Sequence, residues 1–500
     1  MRLIITISLF LSFGIFMAAC HKEEILFAAS PNEELELPLI IDFDRKSCFF
    51  DEESNSFRYS IGEDSILNFS PFVQFQEHST ITINDIPLAN NMVNNLGTIK
   101  INENYAVCIT TNDEINHFTL SFTTFPIIRI VTRSKIKDNP KLLARLSINY
   151  PTDDIPSMNS FIEIDYRGSS SQKHQKKSYG FSFLEEMNIG TNVPKGLLGW
   201  AENEDWILDA AYKDQAKFRN KVSFEIWKDM NPTEHIFIQS EFVEVFLNNS
   251  YEGLYNLNEQ INPEKLDLEG SDGALYKSVA WSSNTYFESL SSHSPPRYTD
   301  FWDDWEQKHP DSEKYIKWQS LYDLRDWVIN DSDQEFIENV STHIDLENFI
   351  DYYLFINLVG AHDNHGKNIL WLKADDSTPF SIIPWDIDAS WGRDWDSSPL
   401  LPVLAKIEDS DFFKRLLDLN PDNLRTRLKN KWNNLRASSW TNALIKARLD
   451  KHFDILINSG IIHLENERWR TGVDLEQERI YIHNWLTNQY TMLDLHFNDL

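Results

Sequence analysis

The sequence predicts a multidomain chain: a small N-terminal all-β sandwich followed by an α+β domain with a strand-rich first lobe and a helical second lobe. Three observations carry this. From about 36 to 125, short runs such as FRYSI, TITIND and HFTLSFTTF alternate apolar and polar residues, with Asn, Asp, Gly and Pro between them. From PIIRIVTR (126–133) onward strands and helices mix. From 402 to the end a helical period is almost the only pattern.

Composition bounds the function. The 500 residues carry 46 Lys and Arg against 77 Asp and Glu, a net charge of −31, so nucleic-acid partners are excluded unless a local basic patch overrides the field. A hydrophobic fraction of 41% supports sizeable cores. Three cysteines rule out a disulfide scaffold and a multi-cysteine zinc site. The long apolar run at the N-terminus has no counterpart further along, which excludes an internal membrane span.

The N-terminus reads as an address. Arg2 precedes an apolar stretch from Leu3 to Met17, and Ala18 and Ala19 precede Cys20. A positive start, a short apolar centre and small residues at the cut describe a secretory signal. Residues 1–19 resemble the bacterial lipoprotein signal, in which the following cysteine, here Cys20, is lipidated and becomes the mature N-terminus. Met17 departs from that pattern, which prefers Leu, so an ordinary cleaved signal or a short anchor are the alternatives. His21-Lys22-Glu23-Glu24 is similar to the tag that sends Bacteroidetes lipoproteins to the outer face of the outer membrane; a charged tether over 20–35 is the plainer reading. The expectation is a surface-exposed outer-membrane lipoprotein of the cell envelope, held to the membrane by its N-terminal lipid. With Cys20 lipidated, Cys48 and Cys108 remain, and an oxidising compartment is expected to bridge them. Two unpaired buried thiols are the alternative.

No catalytic constellation stands out in the β-domain over 36–125, which reads as a spacer or adhesion module. In the second domain FIEIDYRG and KKSYGFSF read as strands joined by SSSQKHQ. AKFRNKVSFEIWKDM reads as a helix, with Phe218, Val222 and Ile226 at four-residue spacing and Asp214 as its N-cap. EFVEVFLNNSYEGLYNLNEQI reads as a hairpin turning at Asn248-Asn249.

The densest polar cluster runs from Ala361 to Asn368 (AHDNHGKN). A hairpin, ILWLK and FSIIP, follows and ends at Trp385-Asp386-Ile387-Asp388. This connectivity brings Asp363, Asn368 and Asp386 to one edge, and strand alternation predicts that Asp386 and Asp388 share a face. Asp363 and Asn368 have the D-x-x-x-x-N spacing of a protein-kinase catalytic loop. That chemistry needs one carboxylate to orient the attacking hydroxyl. It also needs an amide oxygen and a second carboxylate as hard ligands for Mg²⁺. Upstream, a glycine-rich G-x-G-x-x-G is absent, and Arg167-Gly168-Ser169-Ser170-Ser171 stands in its place. Lys176 shares a strand face with Ser178, Gly180 and Ser182, a roomy face, and is therefore the expected phosphate lysine. Lys177 shares the core face of Tyr179, Phe181 and Phe183.

These stretches (YRGSSSQKHQKKSYGFSF, DWILDAAYKDQAKFRNKVSFEIW, EFVEVFLNNSYEGLYNLNEQI, HDNHGKNILWLK and IIPWDIDASWG) together resemble the CotH kinase family, the spore coat protein H-like atypical kinases. They occur in family order from about 126 to 393. The resemblance implies a bilobal protein-kinase-like fold over 126–500, with lobes at about 126–265 and 266–500, and Mg-ATP-dependent phosphorylation of a protein in the envelope or outside the cell. It implies Asp363 as the catalytic Asp, and Asn368 and Asp386 as metal ligands with Asp388 close behind. Arg167 and Lys176 fall on the nucleotide-contacting motif, Arg219 is a further group near the phosphates, and Glu259 lies where the lobes should meet. His362 and His365 lack a third metal ligand at the usual spacing. A catalytically idle kinase fold used for surface binding or adhesion is the competing reading. A metal-dependent phosphoesterase would show D-x-H and G-N-H-[DE] motifs, which the sequence lacks.

Overall fold

The computed structural model describes residues 41–168, 171–268, 270–290, 294–400 and 407–500. The signal segment, Cys20, the tether and Ser169-Ser170 lie outside the described residues. The architecture is multi-sheet α+β, with a β-rich N-terminal region and a helical C-terminal part.

Two sheets come first. One has the order Lys46–Ser47, Ile41–Phe43, Phe72–Phe75, Met92–Val93, and the other Phe49–Asp51, Ser56–Ser60, Glu114–Thr123, Tyr105–Thr111, Ser79–Ile83, Ile86–Pro87. Edge-to-face rings fill the core, with Phe43 5.1 Å from Tyr59 and 5.6 Å from Phe69. The expected disulfide is overturned here, because Cys48 and Cys108 are both free. Cys48 is buried beside the first sheet, where its N–H bonds Ile41 O at 2.8 Å. Cys108 sits mid-strand between the buried Val107 and Ile109, so alternation turns it to the opposite face. Neither thiol meets the other.

A seven-stranded closed barrel follows: Ile127–Val131, Leu142–Asn149, Met158–Arg167, Ser178–Phe183, Asp205–Asp209, Ser250–Glu259 and Ser240–Leu247, the last closing in parallel on the first. Alternate residues such as Ile162 and Ile164, Phe181 and Phe183, Trp206 and Leu208 fill its interior. The hairpin turns at Asn248-Asn249, with Leu247 opposite Ser250 and Asn248 at φ 56°. Arg58 ties the preceding sheets to the barrel through a buried two-point pair with Glu244 (2.7 and 2.8 Å), which also accepts from Tyr251 Oη at 2.8 Å. Residues 41–500 form one compact unit.

The first helix is Arg219–Met230, three residues later than its sequence pattern begins. Asp214 is not its N-cap, since Phe218 occupies that position without a side-chain bond. The Asp214 carboxylate instead reaches forward to the N–H groups of Ala216 and Arg219, both at 2.8 Å, and so still satisfies a first-turn donor. A five-stranded sheet (Phe301–Trp302, Trp305–His309, Ala274–Ser278, Ile369–Lys373, Ser381–Pro384) and eight further helices among the described residues complete the chain. None of the described helices is long and apolar enough to cross a membrane.

Candidate active site

The site begins at the end of a buried helix, Leu346–Val359. Its apolar sequence is buried almost all round, and Asp345 caps it through the N–H groups of Glu347 and Asn348 (3.1 and 3.2 Å). Gly360, at φ 59°, ends it in the left-handed conformation. The chain then enters the AHDNHGKN loop. His362 N–H bonds Ala389 O at 3.1 Å, and Trp391 N–H bonds Val359 O at 2.7 Å, so the loop and the segment after the hairpin are laced together. Asn364 is the hub: its amide donates to Asn368 O at 3.0 Å and Trp385 O at 2.8 Å. The register Ile369↔Pro384 places Asn368 and Trp385 at the same hairpin end. The structure therefore brings the Asp363 loop, Asn368 and Asp386 together.

Asp386 and Asp388 do not share a face through strand alternation. The strand stops at Pro384 and Asp386 turns at φ 54°. Asn368 has the same left-handed backbone, at φ 56°. Asn and Asp tolerate that region better than other non-glycine residues. The turn is held from the first helix, where Asn220 Oδ1 accepts Ile387 N–H at 2.6 Å while its amide donates to Asp209 Oδ2 at 3.2 Å.

The electrostatics are those of a crowded acidic cleft. Asp363 is 3% exposed; burial raises its pKa and Asp386 adds to this, while Lys367, 3.4 Å from Oδ2, opposes it. Its Oδ1 is buried with no hydrogen-bond partner. Asp388 is solvent-exposed on the cleft and partly desolvated by the protein packed around it. That desolvation, with the charges of Asp386, Asp209, Asp214 and Asp363, pushes its carboxyl well above the usual range. Asp209 is raised by burial and by Asp386. Among the described residues no three His, Cys, Asp or Glu side chains are arranged to hold a metal by themselves. A magnesium at Asn368, Asp386 and Asp388 would thus need phosphate oxygens and water to fill its octahedron. The hard-oxygen donors and the orphaned Asp363 oxygen fit such an ion.

The residues expected at the nucleotide fall into two groups. Arg167 reaches the cleft: it bonds Gln260 Oε1 at 2.5 Å, lies over the Trp385 ring at 5.4 Å, and feels the charge of Asp386. Lys176 lines a cavity shared with Asp209, Asn220 and Asp388 but is sealed by an ion pair with Glu465 at 2.7 Å and by Leu254 O. Arg219 is likewise engaged, by Asp214 and Glu478 at 2.5 Å each and Ser390 O at 2.9 Å. Glu259 accepts from Gln239 N–H at 2.9 Å and Lys265 at 2.8 Å, and its neighbour Gln260 is what touches Arg167. Sequence reading missed Lys277, which sits over the Trp385 ring at 5.6 Å; burial lowers its pKa and Asp386 opposes that. It missed Asp209 and Asn220 too, although both lie in the stretch DWILDAAYKDQAKFRNKVSFEIW. Lys367 lay within the motif, and only its i+4 relation to Asp363 could have flagged it.

A closed barrel and a helical part thus flank a D-x-x-x-x-N loop and an acidic hairpin exit. Residues 164–493 match the CotH kinase protein family, and the chain belongs to that family. It is also 27% identical over 281 residues to the inner spore coat protein H of Bacillus subtilis (strain 168), covering 53% of this chain and 72% of that protein.

Proposed function

We propose that the protein is an exported, lipid-anchored atypical kinase that transfers the γ-phosphate of ATP to a protein hydroxyl. The two parts act as lobes of a kinase-like fold. The observation that carries this reading is Asp363: one carboxylate oxygen buried without a partner, the other facing Lys367, beside the oxygen donors of Asn368 and Asp386. Asp363 orients the acceptor hydroxyl and takes its proton as the new O–P bond forms and the bond to ADP breaks; its raised pKa suits it to hold that proton. Bound magnesium would neutralise charge on the phosphates. Asn368 and Asp386, with Asp388 behind, would hold it. Arg167 and Lys277, flanking Trp385 beside Asp386, are the cations placed to meet phosphate. Export through residues 1–19, lipid on Cys20 and exposure at the outer membrane belong to the same proposal and rest on the sequence.

Calorimetry with Mg-ATP tests it. Asp363→Asn should bind like wild type and lose about 10²–10⁴-fold in turnover with labelled ATP and envelope extract. Asp386→Ala should lose Mg-dependent binding. Wild type that binds no nucleotide would overturn the reading. The competing reading, an idle kinase fold used for binding, draws on the engagement of Lys176 and Arg219 by protein carboxylates. It would then take over. For the anchor, Cys20→Ser should release the protein from membranes or leave it unprocessed; unchanged processing and retention would refute it.

A further inference from the structure

The two histidines of the catalytic loop acquire a common partner that the sequence did not show. Glu408, distant in the chain and 4% exposed, presents its carboxylate to both. His362 Nδ1 hydrogen-bonds Oε2 at 3.3 Å, and His365 Nδ1 lies 3.2 Å from the same oxygen, an ion-pair approach without hydrogen-bond geometry. These histidines stand one residue before and two after Asp363. Glu408 is itself fixed. Its N–H donates to Asn357 Oδ1 at 2.8 Å and its carbonyl accepts from Asn357 Nδ2 at 3.1 Å, so the last full turn of the helix before the loop grips its backbone. Asn357 is fully buried, and its own carbonyl accepts Gln489 Nε2 at 2.7 Å. On the far side His365 Nε2 meets Tyr286 Oη at 3.1 Å. The Tyr286 ring packs so closely on Gly366 that a Cβ there would come within 2.8 Å of it.

We propose that Glu408 is the positioning residue of the catalytic loop, holding His362 and His365 so that the carboxylate of Asp363 between them keeps its aim. This rests on the kinase reading above for what the aim serves. Burial works against the Glu408 charge, yet the two imidazoles hold its pKa down to about 2, so it stays ionised. The other charged or titratable groups facing this cluster are Asp363 and Lys367 from the loop, Tyr286 and Glu288 from the segment after Ser278, and Asp409 and Lys414 beside Glu408. None of them bridges both rings.

The test uses the full chain and Glu408→Gln, which keeps the shape and removes the charge. Two readouts do not need phosphotransfer. The imidazole ring resonances of His362 and His365 should shift and broaden in the variant, and the amides of 361–368 should exchange faster. With activity present, kcat should fall about 10–100-fold, the scale of a small misplacement, with Mg-ATP affinity within about twofold. His362→Gln/His365→Gln combined with Glu408→Gln should lose no more than Glu408→Gln alone, because the residues act as one unit. Unchanged histidine ring resonances and loop exchange would overturn the proposal whether or not the wild type is a kinase. So would additive losses in kcat, or a stoichiometric transition metal bound by wild type and lost in Glu408→Gln, which would make the cluster a metal centre instead. Failure of the kinase reading shows separately, as wild type without Mg-ATP binding but with the histidine shifts intact.

Discussion

Glu465→Gln separates scaffold from chemistry at the lysine that the strand pattern marked for phosphate. Lys176 and Glu465 are both fully buried and 2.7 Å apart, and Glu465 Oε2 also accepts the N–H of Leu254 at 3.1 Å. Lys217 lies 4.0 Å from the same carboxylate. Removing one partner of a buried pair typically costs about 3–5 kcal/mol, because the other charge is stranded. A ceiling follows from proton loss. An unfolded lysine titrates near 10.5, and at about 1.4 kcal/mol per unit its deprotonation at pH 7 costs about 5 kcal/mol. The stranded ammonium sheds its proton rather than exceed that. Urea unfolding at pH 7 should therefore show a loss of about 3–5 kcal/mol. The pH dependence has a definite sign. In the variant the unfolded chain binds a proton that the folded chain lacks, so stability rises with pH, by up to about 1.4 kcal/mol per unit for each neutral lysine. In wild type Lys217, depressed to about 8 by burial despite Glu465, begins the same gain only above that value. The gap between the two proteins should thus narrow between pH 7 and 8. A variant as stable as wild type, or a gap that does not change with pH, would refute the buried-clamp account and return Lys176 to the ligand.

The other predictions concern separate parts of the molecule. Arg58→Met should cost about 3–5 kcal/mol by stranding the buried Glu244, and Arg58→Met/Glu244→Leu should recover most of it in urea melts. Intact mass should not change on reduction; Cys108, half-buried, should alkylate in the native protein, and Cys48 only on unfolding. Gly366→Ala should destabilise by about 1–3 kcal/mol by overpacking Tyr286, and should lower turnover more than Mg-ATP affinity.

What was legible in the sequence was what rests on local period and short connections. The hairpin Ile369–Lys373 with Ser381–Pro384 and its two polar ends were readable because a five-residue strand, a turn and a return leave little freedom. The turn at Asn248-Asn249 was readable for the same reason. Asp363, Asn368 and Asp386 could be brought together because that hairpin alone joins them. The errors came where one residue had two uses. Lys176 lies before the strand Ser178–Phe183, so a period of two does not govern it, and no period could show a carboxylate arriving 289 residues later. Asp386 and Asp388 look like strand neighbours until a left-handed residue breaks the alternation. The two cysteines lie in one domain by sequence, but Cys48 sits beside one sheet and Cys108 on the opposite face of a strand in the other.

The same distinction explains how the site is built. Asp363, Asn368, Asp386 and Lys277 are close in sequence or on adjoining strands, whereas Arg167 and the groups that hold the acidic turn come from far away. Asn220, from the first helix, pins the Ile387 N–H; Arg219 beside it takes Ser390 O and joins Asp214 to Glu478; Arg393 closes on Glu478 from the loop side. This chain of bonds runs from the barrel edge, through the acidic turn, to the last helix. Each link is a buried charge or amide whose loss strands a partner. A substitution there, Arg219→Met for example, should therefore unfold or misalign the site as a whole. One at Lys277, whose ammonium stacks on Trp385 without a backbone to hold, should leave the fold intact. Lys277→Met is accordingly expected to keep its urea midpoint and to weaken Mg-ATP binding by about tenfold, the scale of one lost charge-assisted contact. Calorimetry and unfolding on the same preparation decide it: unchanged Mg-ATP affinity would remove Lys277 from the phosphate site, and a lowered midpoint would make it scaffold.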